Sequence, residues 1–170
     1  MVFFGGLALF SVSGAYLIAA ISIPKNSPMA RMYRTEADLA SLSTAVRTYR
    51  QDLGVYPPAG PEGLRMATDY LSRIANYLPA GPPLDAWDQA FVYVPSDAYA
   101  HAGSMALEKD GEYFAPGGFQ LYSVGMDGDP GLHDPYKQRD NITSWDSAKS
   151  WRGLYRERHR KYFTEEGRRQ

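Results

Sequence analysis

The first 24 residues, MVFFGGLALFSVSGAYLIAAISIP, contain no charged side chain. As a helix they would extend ~36 Å, more than the ~30 Å hydrocarbon thickness of a bilayer. A segment of this kind has two homes, a membrane or the apolar centre of an assembly of helices, and the rest of the chain must fold beside it. A cleaved secretory signal is the reading to weigh against these. Such signals start with basic residues and carry a shorter apolar run, and this segment has neither property. Lys25, Arg31 and Arg34 come next. Under the positive-inside rule they face the cytoplasm, so a head outside the cytoplasm requires Met1 to be the processed end of a mature chain.

With 170 residues, 44% of them hydrophobic, the chain has room for one compact domain behind that segment but not for a two-domain enzyme. The absence of cysteine excludes disulfides and thiolate metal sites, so any metal must be held by oxygen or imidazole. The net charge of −1 is unevenly spread, because residues 151–170 hold seven basic and three acidic side chains and the rest is acidic. That tail, 147–170, reads as a separate basic element. Its arginines are interleaved with Glu157, Glu165 and Glu166, which argues against nucleic acid as a partner.

Residues 25–34 read as a linker. In TEADLASLSTAVRTYRQDLG, Thr35 is the expected N-cap and Asp38 the reciprocal capping residue. Leu39, Leu42, Val46, Tyr49 and Leu53 form one helical stripe, and Gly54 supplies the left-handed stop. A second helix is expected from Gly63 to Leu78, with Leu64, Ala67, Tyr70, Leu71, Ile74 and Leu78 facing the core. Beyond Pro79 the apolar runs shorten to strand length, in AFVYV at 90–94 and FQLYSV at 119–124. The excursion between them predicts a short helical turn and a third strand near Tyr113. A basic helix is expected within 147–166, anchored by Trp151, Leu154 and Tyr155. The order implies an α+β fold: a long N-terminal apolar helix, then a small globular domain, 35–146, with helices packed on a short antiparallel sheet.

The stretch LYSVGMDGDPGLHDPYKQRDNITSW concentrates four aspartates among three glycines and two prolines. Carboxylates so crowded repel one another unless a cation lies among them, and calcium suits carboxylates mixed with main-chain carbonyls. The loop is not an EF-hand, because the twelfth residue counted from Asp127 is Gln138 where a glutamate is needed. The competing reading is a set of solvated turn residues in which Asp-Gly merely favours the turn.

The apolar N-terminal helix followed in unbroken order by DLASLSTAVRTYRQDLGVYPPAGPEGLRMA, PLDAWDQAFVYV, FQLYSVGMDGDPG and DNITSW resembles the major pseudopilin of type II secretion systems. The resemblance implies a type IV pilin-like fold and a calcium loop, 124–142. The metal would be held by Asp127, Asp140 and the backbone carbonyl of Val124, with Asp129 and Asp134 as further candidates. It also implies a methylated N-terminus and a helical filament whose core is built by Phe3, Phe4, Leu7, Phe10, Gly14, Leu17, Ile21 and Pro24. Expected partners are further copies of the chain, other pseudopilins, the inner-membrane assembly machinery, and the membrane itself before assembly. The head would be periplasmic on an inner-membrane anchor, or part of an extracellular filament. Where relatives carry a glutamate near the mature N-terminus this chain has Gly5, Gly6 and Leu7, so register pairing by that charge is absent.

A membrane-anchored, calcium-dependent binding or adhesion module would share both the loop and the anchor. An enzyme is not expected, since His101, His133 and His159 lack metal-ligand spacing and no nucleophile or phosphate-loop motif occurs.

Overall fold

The computed structural model describes residues 27–75 and 84–158. The residues expected to build a filament core, Phe3, Phe4, Leu7, Phe10, Gly14, Leu17, Ile21 and Pro24, and Leu78, expected in the second helix, lie outside them.

The first helix, α1, spans Pro28–Leu53, beginning eight residues earlier than an N-cap at Thr35 would have it. The true N-cap is Ser27, whose Oγ accepts the Ala30 N–H at 3.1 Å, and Pro28 follows where a missing N–H costs nothing. Most of the expected linker, residues 28–34, is therefore helix. The apolar stripe runs back through Met32 and Met29, both buried. Thr35 is a buried mid-helix residue instead of a cap, and its Oγ1 accepts the Ala86 N–H at 3.0 Å. Gly54, at φ 78°, ends the helix by donating to Arg50 O, and the last stripe residue, Leu53, is exposed.

A second helix, α2 (Pro61–Ala75), packs along α1 through Leu64 and Ala67. Tyr70 meets Tyr49 edge to face at 5.6 Å. Ile74 is exposed, so the expected stripe fails at its C-terminal end. Gly63 is obligatory, since a Cβ there would lie 1.6 Å from Pro58 O.

The sheet comprises β1 (Val92–Pro95), β4 (Phe119–Ser123) and β5 (Ile142–Thr143), antiparallel in the order β1-β4-β5. The excursion between β1 and β4 holds the short 3-10 turn Ser96–Ala98 and a hairpin, β2 (Glu108–Lys109) with β3 (Glu112–Tyr113). Asp110 and Gly111, at φ 55° and 81°, make the tight reversal.

β4 is buried along its whole length because both its faces are covered. Phe119 and Leu121 join the core under α1, whereas Tyr122 packs with Leu107 and is flanked by Phe114 and Trp145 from the excursion and the sheet end. Gln120 faces the excursion too. Its amide donates to Leu107 O and Phe114 O and accepts the Leu107 N–H, so a buried polar side chain is fully used in stapling that segment down.

The basic tail is not a separate element over its first part. The third helix, α3 (Trp151–Arg158), lies within the predicted range and buries Trp151 and Tyr155 in the main core, leaving Leu154 half-buried. Lys149 and Arg152 both reach Glu36 on α1, the Arg152 Nη2 donating to both carboxylate oxygens at 2.7 Å. Burial alone would raise the Glu36 pKa, but hydrogen bonds from Arg152 and Lys149 outweigh it and hold it below the usual range. A lowered folded pKa stabilises the fold above the unfolded carboxylate range, and the contribution is lost as pH falls through the lowered value. Glu36→Gln is expected to cost about 1–2 kcal/mol at neutral pH, discounted for the half-exposed cations. It should also flatten the acid limb of the stability curve below about pH 4.5. Urea titrations at a series of pH values measure both.

Candidate functional site

The acidic loop leaves β4 at Val124 and returns through a 3-10 turn, Lys137–Asp140, into β5. Asp140 is its centre. The residue is 2% exposed, and its Oδ2 accepts the N–H groups of Met126 at 3.1 Å and Asp127 at 3.4 Å. The Arg158 guanidinium stands 3.8 Å from the same oxygen. Burial, and after it the neighbouring Asp127 carboxylate, pushes the Asp140 pKa up, opposed by the two N–H donors and Arg158.

The approach of the two loop limbs depends on Gly125, at φ 75°, where a Cβ would fall 2.5 Å from Asp140 O. Gly125→Ala meets both a disfavoured dihedral and a backbone clash, and is expected to lose about 2–4 kcal/mol of stability in a denaturant melt.

The structure brings Asp127 beside Asp140 but does not gather Asp129 and Asp134 with them. Asp127 is exposed, with Oδ1 accepting the Asp129 N–H at 2.9 Å. Asp129 pairs with Lys137, which lowers its pKa, and Asp134 Oδ1 accepts the Tyr136 N–H at 2.9 Å. Val124 is buried against Leu107 and Tyr122. Among the described residues no three His, Cys, Asp or Glu side chains stand close enough to hold a metal ion. A cation here would have at most two carboxylate ligands and would need neutral oxygens. One buried neutral oxygen in the loop has no hydrogen-bond partner, Asn141 Oδ1, whose Nδ2 donates to Pro130 O at 3.0 Å. A buried carboxylate with a second carboxylate beside it is the kind of oxygen donor a hard cation takes, with neutral oxygens of the loop to complete its shell.

Four supporting residues escaped sequence reasoning. Asp85, 1% exposed, accepts the Trp87 and Gln89 N–H groups and the Ser123 hydroxyl, fixing the PLDAWDQAF turn against β4. From that turn Gln89 Nε2 donates to Gly125 O at 3.3 Å. The other two, Tyr155 and Arg158, come from α3, the Tyr155 hydroxyl lying 3.5 Å from Asp140 O. An Asp two residues before a tryptophan was a usable sign of the first, while nothing local pointed α3 at Asp140.

The family model for type II secretion system protein G matches residues 22–145, well over half of the chain. The chain belongs to that family. It is thereby a pseudopilin, a structural subunit of type II secretion from a family that is not catalytic, and a membrane-associated or periplasmic location and assembly with other pseudopilins follow at that level. The α+β architecture agrees with a pilin-like fold. No curated protein and no solved structure matches the chain. No described helix is long and apolar enough to cross a membrane, and the uncharged N-terminal segment is not among the described residues. The match to this pseudopilin family ends at Trp145, so all of α3 lies beyond it.

Proposed function

We propose that this pseudopilin assembles into a helical, head-to-tail filament through its uncharged N-terminal segment, and that calcium stiffens its head at the acidic loop. The observation that carries the first part is the family match over 22–145 joined to a 24-residue leader without a single charge. Outside a membrane such a surface is stable only against similar surfaces, and a heterologous contact between copies repeats without closing. Phe3, Phe4, Leu7, Phe10, Leu17 and Ile21 then face neighbouring copies, with Gly14 and Pro24 loosening the helix as it leaves the bilayer. The head would lie in the periplasm on an inner-membrane anchor before assembly.

The calcium reading is supported by Asp140, whose buried charge is disfavoured by its surroundings, with the Arg158 guanidinium, at 3.8 Å, the one cation beside it among the described residues. Asp127, Asp140, Asn141 Oδ1 and main-chain carbonyls such as that of Val124 are the oxygens that would hold the ion. Bound there it would supply charge balance and tie the end of β4 to β5; the chemistry is structural.

Electron microscopy of the full-length protein, released from detergent, tests the assembly. Fibres with a core of parallel N-terminal helices are the expected result. Particles that stay dispersed across a wide concentration range would refute it.

A further inference from the structure

Of the four buried side-chain polar atoms without a hydrogen-bond partner among the described residues, three belong to residues that line one groove. They are Ser43 Oγ on α1, Thr143 Oγ1 on β5 and Trp151 Nε1 on α3. The groove has a volume of about 580 Å³ and runs between α1 and the chain leading from β5 into α3. Ser43 and Trp151 are 7% and 3% exposed and Thr143 is half-buried, so all three polar atoms are buried with no partner among the described residues. Hydroxyls can donate and an indole N–H can only donate, so the missing partner is an acceptor.

The charges around the groove favour an anion. Arg47 is exposed on its wall and makes no ion pair among the described residues. Lys149 and Arg152 share the single carboxylate of Glu36. Asp146 spends its carboxylate on the N–H groups of Ala148, Lys149 and Ser150. What fits is a carboxylate presented on a segment narrow enough to enter.

The same chain carries such a segment on the opposite side. In the β2–β3 hairpin Glu108, Asp110 and Glu112 are all exposed, against one basic residue, Lys109. The hairpin belongs to the excursion that covers the Gln120 and Tyr122 face of β4, whereas α1 covers the Leu121 face. The sheet thus separates the hairpin from its own groove. We infer that the acidic hairpin of one copy docks in the groove of the next, giving the heads a directional contact of their own. The inference rests on the self-assembly reading.

The cysteine-free chain allows a direct test in full-length protein. Thr44→Cys on the groove wall and Lys109→Cys in the hairpin, both exposed and neither supplying a charge that the docking uses, are combined and treated with a short bis-maleimide linker, with Leu7→Cys alone reporting contact between N-terminal segments. A ladder of covalent oligomers is expected from the double variant, and dimers alone from an equimolar mixture of the two single variants. Linkage through Leu7 without linkage between positions 44 and 109 overturns the docking and leaves the assembly reading standing. Linkage of 44 to 109 without Leu7 overturns assembly through the N-terminal segment and leaves the contact between heads standing, and no linkage in either overturns both.

Discussion

Full-length protein in millimolar calcium is expected to melt about 10 °C higher than in chelator. A ligand that binds only the folded state at a hundredfold its dissociation constant contributes about 2.7 kcal/mol. For a domain of this size that shifts the melting temperature by about 3–4 °C per kcal/mol. The Asp140 environment makes the test sharper. Its pKa is raised in the fold, by burial first and then by Asp127, so the proton is bound more tightly in the folded state. The associated stability is present below the unfolded carboxylate pKa and is lost as pH rises through the raised value. At neutral pH without a cation the ionised Asp140 is therefore a cost. Asp140→Asn keeps an oxygen that can accept the Met126 and Asp127 N–H groups and removes the charge. In chelator the variant should melt no lower than the parent, and with calcium it should fail to rise. A parent whose melt ignores calcium, followed by differential scanning calorimetry, would defeat the metal reading.

The second large effect concerns α3. Trp151→Ala and Tyr155→Ala are each expected to cost about 3–5 kcal/mol in urea unfolding, because both rings are buried in the main core with Leu42, Leu121 and Ile142. Tyr155 also packs on Trp87 at 5.9 Å, so its removal leaves a cavity bounded by a rigid turn that collapses poorly. Leu154→Ala, at a half-buried position of the same helix, should cost under half as much. Equal, small effects at all three positions would mean that α3 does not dock as described.

Much of the fold was legible because periodicity survives tertiary packing. The stripe from Leu39 to Val46 and the phrases around Val92–Pro95 and Phe119–Ser123 are where the sequence places them. The start of α1 was misread because Thr35 and Asp38 imitate a capping box, while Ser27-Pro28 is as good a start signal and Met29 and Met32 continue the stripe. Ile74 and Leu53 fit a helical stripe yet stay exposed among the described residues, since periodicity reports which side of a helix is apolar and not how far its neighbour extends. In the acidic loop, residue type could not tell a buried carboxylate from solvated ones. Asp140 differs from Asp129 and Asp134 through contacts made by Gly125 and α3, at long range in the chain. In the tail the aromatic anchors Trp151 and Tyr155 were legible, but its charge pattern did not reveal that Lys149 and Arg152 are partners for Glu36.

Tyr155 and Arg158 meet Asp140 from beyond the span that matches the family, which ends at residue 145. Heads exchanged between this chain and a relative at that boundary would part Asp140 from its buttress, even though every residue of the loop itself was transferred. A working chimaera has to carry the graft through Arg158, and the same is true of any truncated head prepared for crystallisation.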